Sequence, residues 1–268
     1  MTRHLIKIYK SLFKRPYNNV SAYLNKRGGK RKCNICGNNF KEFIKYHGGN
    51  KRIPEFRKRL DLVDSDRDNF GCPYCYSFDR ERHLFLYFDK LNMWEKLSNS
   101  RILHFAPEKN LHQKIEGLKP KKYVMADYVP KSDKIEMLDA TNISYADNSF
   151  DFIICNHVLE HIPDYKRAMH EIYRVLASNG VAILQTPYSK VLSSNFEDEN
   201  LNTEEQRLFF YGEKDHYRIF SEFEFFEDLK NEGFSLDIVK HTSVFSKDVS
   251  FYYGVNRKED LIRVIKNT

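Results

Sequence analysis

Hydrophobic positions change their period twice between Ser149 and Pro187. Phe150 to Cys155 is a short, β-branched apolar run without alternation, the pattern of a strand buried on both faces of a parallel sheet. Ile162, Tyr165, Met169, Ile172 and Leu176 then recur at steps of three and four, which predicts one face of a helix starting at Pro163-Asp164 and ending at Asn179-Gly180. Val181 to Leu184 is a second buried strand. Strand, helix and strand in this order form a parallel crossover of a doubly wound sheet, an α/β architecture.

The same reading extends along the chain. Ile102 to Phe105 is a strand followed by a helix from about Asn110 to Gly117, and Tyr123 to Ala126 is a strand that ends on Asp127. Ser221 and Glu224 have the spacing of a capping box opening a helix that stops at Gly233. Two late β-rich runs, Ser235 to Val239 and Ser250 to Val255, are expected to complete the sheet with an antiparallel edge. Between them and Pro187 lies Ser189 to Arg207, polar, acidic and glycine-free, too long for an ordinary connection. It reads as a substrate lid or as a floppy insertion.

Composition divides the chain more sharply than it classifies it. Residues 1–60 hold 17 Lys or Arg against two acids, Glu42 and Glu55, so a front end near +15 precedes a body near −8 within a net +7. Such a front suits an anionic partner such as nucleic acid, a phosphorylated substrate or a lipid headgroup, or a positive face docked on the chain's own acidic body. Leu5, Ile8 and Leu12 mark one face of a basic amphipathic helix. No apolar run approaches the ~20 residues of a membrane span, and the first 16 residues lack the apolar centre of a signal peptide, so cytoplasmic residence is the expectation.

Four of the five cysteines form two Cys-x-x-Cys knuckles, Cys33/Cys36 and Cys72/Cys75, the spacing at which two thiolates reach one tetrahedral Zn²⁺. The pair predicts a closed, structural zinc ribbon with 35 residues looped out between the knuckles. A redox-active pair and two disulfides are the alternatives, the latter disfavoured in a reducing compartment. Cys155 falls inside a buried strand and is expected to be a small core residue.

The two knuckles, the following Arg80-Glu81-Arg82-His83, then Leu103-His104-Phe105-Ala106-Pro107-Glu108, Ala126-Asp127-Tyr128, Asn156-His157-Val158-Leu159-Glu160-His161 and Asp215-His216-Tyr217-Arg218 together resemble a subgroup of bacterial zinc-ribbon, class I S-adenosylmethionine-dependent methyltransferases over residues 30–255. The resemblance implies a mostly parallel, Rossmann-like seven-stranded sheet. Residues 1–30 are then a basic helical segment, 31–90 the zinc ribbon and linker helix, and 91–268 the methyltransferase domain with a lid at 189–217.

The resemblance also implies roles. Phe105, Ala106, Pro107 and Glu108 stand where such enzymes carry a glycine-rich cofactor loop, here without glycine, and His104 replaces the usual acid of the first strand. Asp127, with Tyr128 after it, accepts both ribose hydroxyl hydrogens of S-adenosylmethionine, about twenty residues downstream of the loop. Asp139 and the Ala140 amide read the adenine edge unless Asp139 is a plain loop acid. Asn156 and His157 leave the fourth strand beside the sulfonium. His216 is the candidate base with Asp215 orienting it, His157 a second catalytic candidate, and Arg218 a hold on an anionic substrate. His161 faces the same mouth or packs in the core, and His216 is a base or a residue that secures the lid. Arg80 and Arg82 contact substrate or form a solvated first turn. The preferred acceptor is an O or N nucleophile of a small molecule or glycan, anionic in part. The alternatives are ribosomal or transfer RNA, which would use the basic front, and a non-catalytic zinc-ribbon binding module.

Overall fold

The computed structural model describes residues 22–268, so the amphipathic pattern at Leu5, Ile8 and Leu12 lies outside the described residues. The chain folds into two compact units that interleave in sequence. One contains residues 53–64, 87–244 and 258–268, the other residues 65–86 and 245–257 together with the described residues up to 52. These bounds differ from the linear division at residues 30 and 90.

The larger unit is built on seven strands: β1 (Arg101–Phe105), β2 (Lys122–Asp127), β3 (Glu136–Met137), β4 (Phe150–Asn156), β5 (Leu176–Gln185), β6 (Phe234–Val239) and β7 (Leu261–Lys266). They lie in the order β3-β2-β1-β4-β5-β7-β6, parallel throughout except for β7, which runs antiparallel to both neighbours. This is the expected doubly wound α/β sheet. The order reverses between β1 and β4, the place where open parallel sheets form a crevice at their carboxyl ends.

Burial explains why these runs are strands. Phe150, Phe152, Ile153, Ile154 and Cys155 of β4 are all fully buried, because a central parallel strand is covered on both faces. Helix α1 (Lys109–Leu118) buries Leu111 and Ile115, and α2 (Tyr165–Val175) buries Tyr165, Ala168, Met169, Ile172 and Val175. Each large apolar side chain removed from water this way contributes about 1.5–3 kcal/mol. The Asp164 carboxylate caps α2 by accepting from the Arg167 amide at 3.0 Å.

Two boundaries differ from the periodicity. Helix α2 stops at Val175, and Leu176 already pairs with Phe150, so Asn179, at φ 60°, marks an irregularity in β5 and not a helix end. Residues Lys247–Tyr253 form a helix closed by Gly254 at φ 60°, and the strand that completes the sheet is Leu261–Lys266.

The stretch read as a lid or floppy insertion carries regular structure. Tyr188–Ser189 pairs in parallel with Phe220–Ser221 and antiparallel with Leu62–Val63, and Phe196 bridges Ile219. Between them α3 (Glu204–Phe210) starts on a full capping box, Thr203 with Gln206. Ser221 then caps α4 (Glu222–Asn231), while Glu224 accepts from the Asn195 amide at 2.7 Å and ties the lid to the helix start. Among the described residues no helix is long and apolar enough to cross a membrane.

Candidate active site and four-cysteine centre

The carboxyl ends of β1, β2, β3 and β4 gather most of the expected cofactor residues. After Phe105 the chain turns at Ala106, whose φ of 46° lies in the left-handed region and whose amide donates to Ala126 O at 2.8 Å. Alanine thus adopts a conformation that glycine takes freely, at a cost of about 1–3 kcal/mol. Pro107 and Glu108 lead into α1, and the Glu108 carboxylate turns back over the strand tips. It contacts His104 Nε2 at 3.0 Å and accepts from Asn156 Nδ2, while His104 Nδ1 faces the Tyr123 hydroxyl at 2.8 Å. Burial, with Glu108 and Glu116 nearby, pushes the Tyr123 hydroxyl well above its ordinary pKa.

What remains at the tips is a set of acceptors. Asp127 Oδ1 accepts from the Val129 amide at 2.9 Å, leaving Oδ2 without a donor among the described residues. Asp139 Oδ1 takes the Thr141 amide and hydroxyl, both at 2.8 Å, with Ala140 buried beside it and Tyr128 exposed. Asn156 Oδ1 is buried and has no hydrogen-bond partner, a state that costs about 1–3 kcal/mol unless a donor arrives. These groups fit a ligand rich in hydroxyl and amine donors.

A second cluster lies past the ends of β4 and β5. His157 is held at φ 55° by its amide's bond to Gln185 O, with Nδ1 3.3 Å from Glu160 Oε1 and Nε2 3.8 Å from Glu259 Oε1. Glu160 is 1% exposed, and its Oε2 accepts from the Thr186 hydroxyl at 3.0 Å. Burial alone would raise its pKa, but His157, His161 and His216 outweigh that and hold the carboxyl far below the usual range. The rings of His161 and His216 meet edge to face at 4.6 Å. Burial, opposed in part by Glu160, pushes His216 down to about 4, so its imidazole is neutral at pH 7.

Three sequence expectations are corrected here. Asp215 Oδ2 lies 3.5 Å from His161 Nδ1 and acts on His216 only at longer range, so the orienting carboxylate serves the other histidine. Arg218 does not await a substrate anion. It is 5% exposed, and its guanidinium is spent on Glu197 and on the carbonyls of Leu159, Ile162 and Pro163, over the face of Tyr165 at 4.6 Å. Arg82 is fully buried and donates to five carbonyls, those of Asn69, Phe70, Ser77, Tyr253 and Gly254. Arg80, half-buried, sits 5.9 Å from the Phe78 ring centroid. Sequence reasoning missed Glu160 and Thr186, although a carboxylate between two histidine-bearing positions was the available signal.

The smaller unit is organised by its four cysteines. A hairpin of Arg31–Lys32 and Asn39–Phe40 carries the first knuckle, closed by the Gly37 amide on Cys33 O at 2.9 Å, and the second closes equivalently from Tyr76 to Cys72 at 3.1 Å. Cys33 Sγ lies 3.7 Å from Cys75 Sγ, and Cys36 Sγ 3.8 Å from Cys72 Sγ. Disulfides would need about 2.05 Å. Hydrogen bonds from its sulfur neighbours draw Cys33 far below the ordinary thiol range, and the same contacts drive Cys72 far above it. Residues 247–253 belong to this unit because Arg31 stacks on Phe251 at 3.7 Å and Gly254 rests on Phe43, where a Cβ would come within 2.3 Å of the ring.

Comparison with known proteins gives the fold a context. A family model described as a methyltransferase domain matches residues 87–238. A demethylmenaquinone methyltransferase of Lactobacillus johnsonii is 35% identical over 78 residues, 29% of this chain and 32% of that protein. Ajmaline N-methyltransferase of Rauvolfia serpentina is 25% identical over 112 residues, 40% of this chain and 38% of that one. The matches thus span between about a third and two fifths of these relatives. Among solved structures, an S-adenosylmethionine-dependent methyltransferase of Mesorhizobium loti is similar at a TM-score of 0.48 and 11% identity, covering 66% of this chain and 97% of that one.

Proposed function

Since the chain belongs to the methyltransferase-domain family, we propose that it uses S-adenosylmethionine to methylate an oxygen or nitrogen of a small molecule or glycan beside the carboxyl ends of β4 and β5. When bound, S-adenosylmethionine supplies an electrophilic methyl group on a sulfonium. Asp127 Oδ2 would accept from the ribose hydroxyls, Asp139 and the Ala140 amide would take the adenine edge, and the unsatisfied Asn156 Oδ1 would accept from the ligand's ammonium. The Ala106 turn lets the backbone approach where a glycine-rich loop would. Phe105 and Pro107 flank that turn, and Glu108 holds Asn156 in place. The protein's remaining work is alignment and exclusion of water.

One observation carries the acceptor class. The Tyr217 amide donates to Glu160 O at 2.9 Å and Arg218 clamps the carbonyls of residues 159, 162 and 163, so the lid is stitched down at the acceptor end. A fixed lid favours a small acceptor over a polymer that must thread beneath it. The names of the two curated relatives point the same way. Methyl label from the cofactor is expected to enter the small-molecule fraction of a cell extract, and affinity for bulk RNA to be weak. Label entering RNA, with affinity that falls steeply with salt as several phosphate contacts require, overturns the acceptor class.

The four-cysteine cluster is assigned to structural zinc. A tetrahedron with Zn–S bonds of about 2.3 Å has sulfur–sulfur edges of about 3.8 Å, which the observed 3.7 and 3.8 Å pairs match. Cys33, Cys36, Cys72 and Cys75 leave no open coordination position, so the ion's contribution is to folding.

A further inference from the structure

We propose that Glu160, His161 and His216 form a second metal site, separate from the cysteines, that takes a divalent ion of the zinc class at the acceptor end of the enzyme. Its role in methyl transfer rests on the acceptor placement above, whereas its binding does not.

The donor set is assembled by backbone. Glu160 and His161 are neighbours in the single turn Leu159–His161, and His216 is brought to them by the Tyr217 amide's bond to Glu160 O at 2.9 Å. One ligand atom from each residue lies within 4.8 Å of the other two. A tetrahedral N/O site has edges of about 3.3 Å, so the donors would draw together by at most about 1.5 Å on taking up the ion.

Each donor also has support from behind. The Thr186 hydroxyl holds Glu160 Oε2 at 3.0 Å, and His157 Nδ1 lies 3.3 Å from Oε1. Asp215 sits 3.5 Å from His161 Nδ1, the carboxylate-to-imidazole arrangement that fixes a ligand's tautomer and leaves Nε2 for the ion. Glu160 and His216 are buried, but His161 is 34% exposed, so three protein ligands leave one side open, the mark of a catalytic rather than a structural site. There the ion would take the acceptor's hydroxyl oxygen and ease loss of its proton to water. The oxygen's electron pair then forms the bond to the methyl carbon as the carbon–sulfur pair returns to sulfur.

The test uses the untagged full chain equilibrated with Zn²⁺ and then measured for metal content. Two ions per chain are expected, falling to one in both H161Q and H216Q with the melting transition and cofactor affinity retained, while D215N weakens the second site about 10- to 100-fold. With Co²⁺, one equivalent should give thiolate charge-transfer bands and the other only ligand-field bands. Content of one ion per chain with thiolate bands alone, or a second equivalent that survives in both histidine variants, overturns the site. In that case a shared proton balances Glu160. Two ions in a chain that labels only RNA would uphold the site and remove the small-acceptor reading.

Discussion

Replacing Arg82 separates a structural arginine from a substrate-binding one. Its five carbonyl partners come from three stretches of the smaller unit, residues 69–70, Ser77 and 253–254, so it is the point at which the second knuckle and the late helix are joined. In Arg82→Ala each buried carbonyl that loses a charged donor costs about 1–3 kcal/mol. With water refilling most of the space and only two left unsatisfied, the loss is on the order of 4 kcal/mol. In a unit of this size each kcal/mol lowers the melting temperature by about 4–8 °C, which predicts a fall of roughly 15–30 °C. Arg82→Lys keeps the charge but has three donors for five acceptors, so roughly half that loss is expected. The assay is thermal unfolding followed by the alkylation rate of the knuckle cysteines, with the acceptor KM measured below the transition. An R82A protein that melts within about 2 °C of the parent while its KM rises several-fold would refute the structural role and restore the substrate contact.

Further outcomes follow from single groups. Asp127→Ala removes the carboxylate assigned to the ribose and should weaken S-adenosylmethionine at least about 100-fold by calorimetry, two charged hydrogen bonds at about 1.5–3 kcal/mol each; unchanged affinity would displace the cofactor site. Glu171 accepts from the Ile143 amide and pairs with Arg174, which holds its carboxyl below the usual range. A depressed folded-state pKa means stability that is present above about 4.3, the unfolded value, and lost as pH falls through the lowered one. Glu171→Gln should therefore be less stable at pH 7, equal to the parent at the acid extreme, and flatter between; parallel pH profiles of the two melting temperatures would dismiss the pair.

The parallel core was readable because fully covered strands leave uninterrupted apolar runs, as at Phe150 to Cys155. Asp127 was readable for a related reason, since it interrupts such a run at its end. Strand β7 was missed because Arg263 and Lys266 break its apolar pattern, and what permits them there is distant: Asp237 on the neighbouring strand and the carbonyls of Tyr173 and Leu176. The arginines failed in the same way. Arg82 reads as a substrate contact or part of a solvated first turn and Arg218 as a hold on an anionic substrate, yet both are consumed largely by backbone oxygens that no local pattern reveals. Asp215 was expected to orient His216 because the two are adjacent in sequence, but the turn gives that carboxylate to His161.

The threading of residues 245–257 into the cysteine unit has a consequence for how the protein is made. Both knuckles leave the ribosome early, but Arg82 has no Tyr253 or Gly254 carbonyl to hold until nearly the whole chain has been synthesised. The nascent cysteine unit must therefore wait, half-assembled, while the entire sheet up to β6 is translated. A fragment cut after residue 90 would lack its own closing helix and is a poor choice for expressing that unit alone.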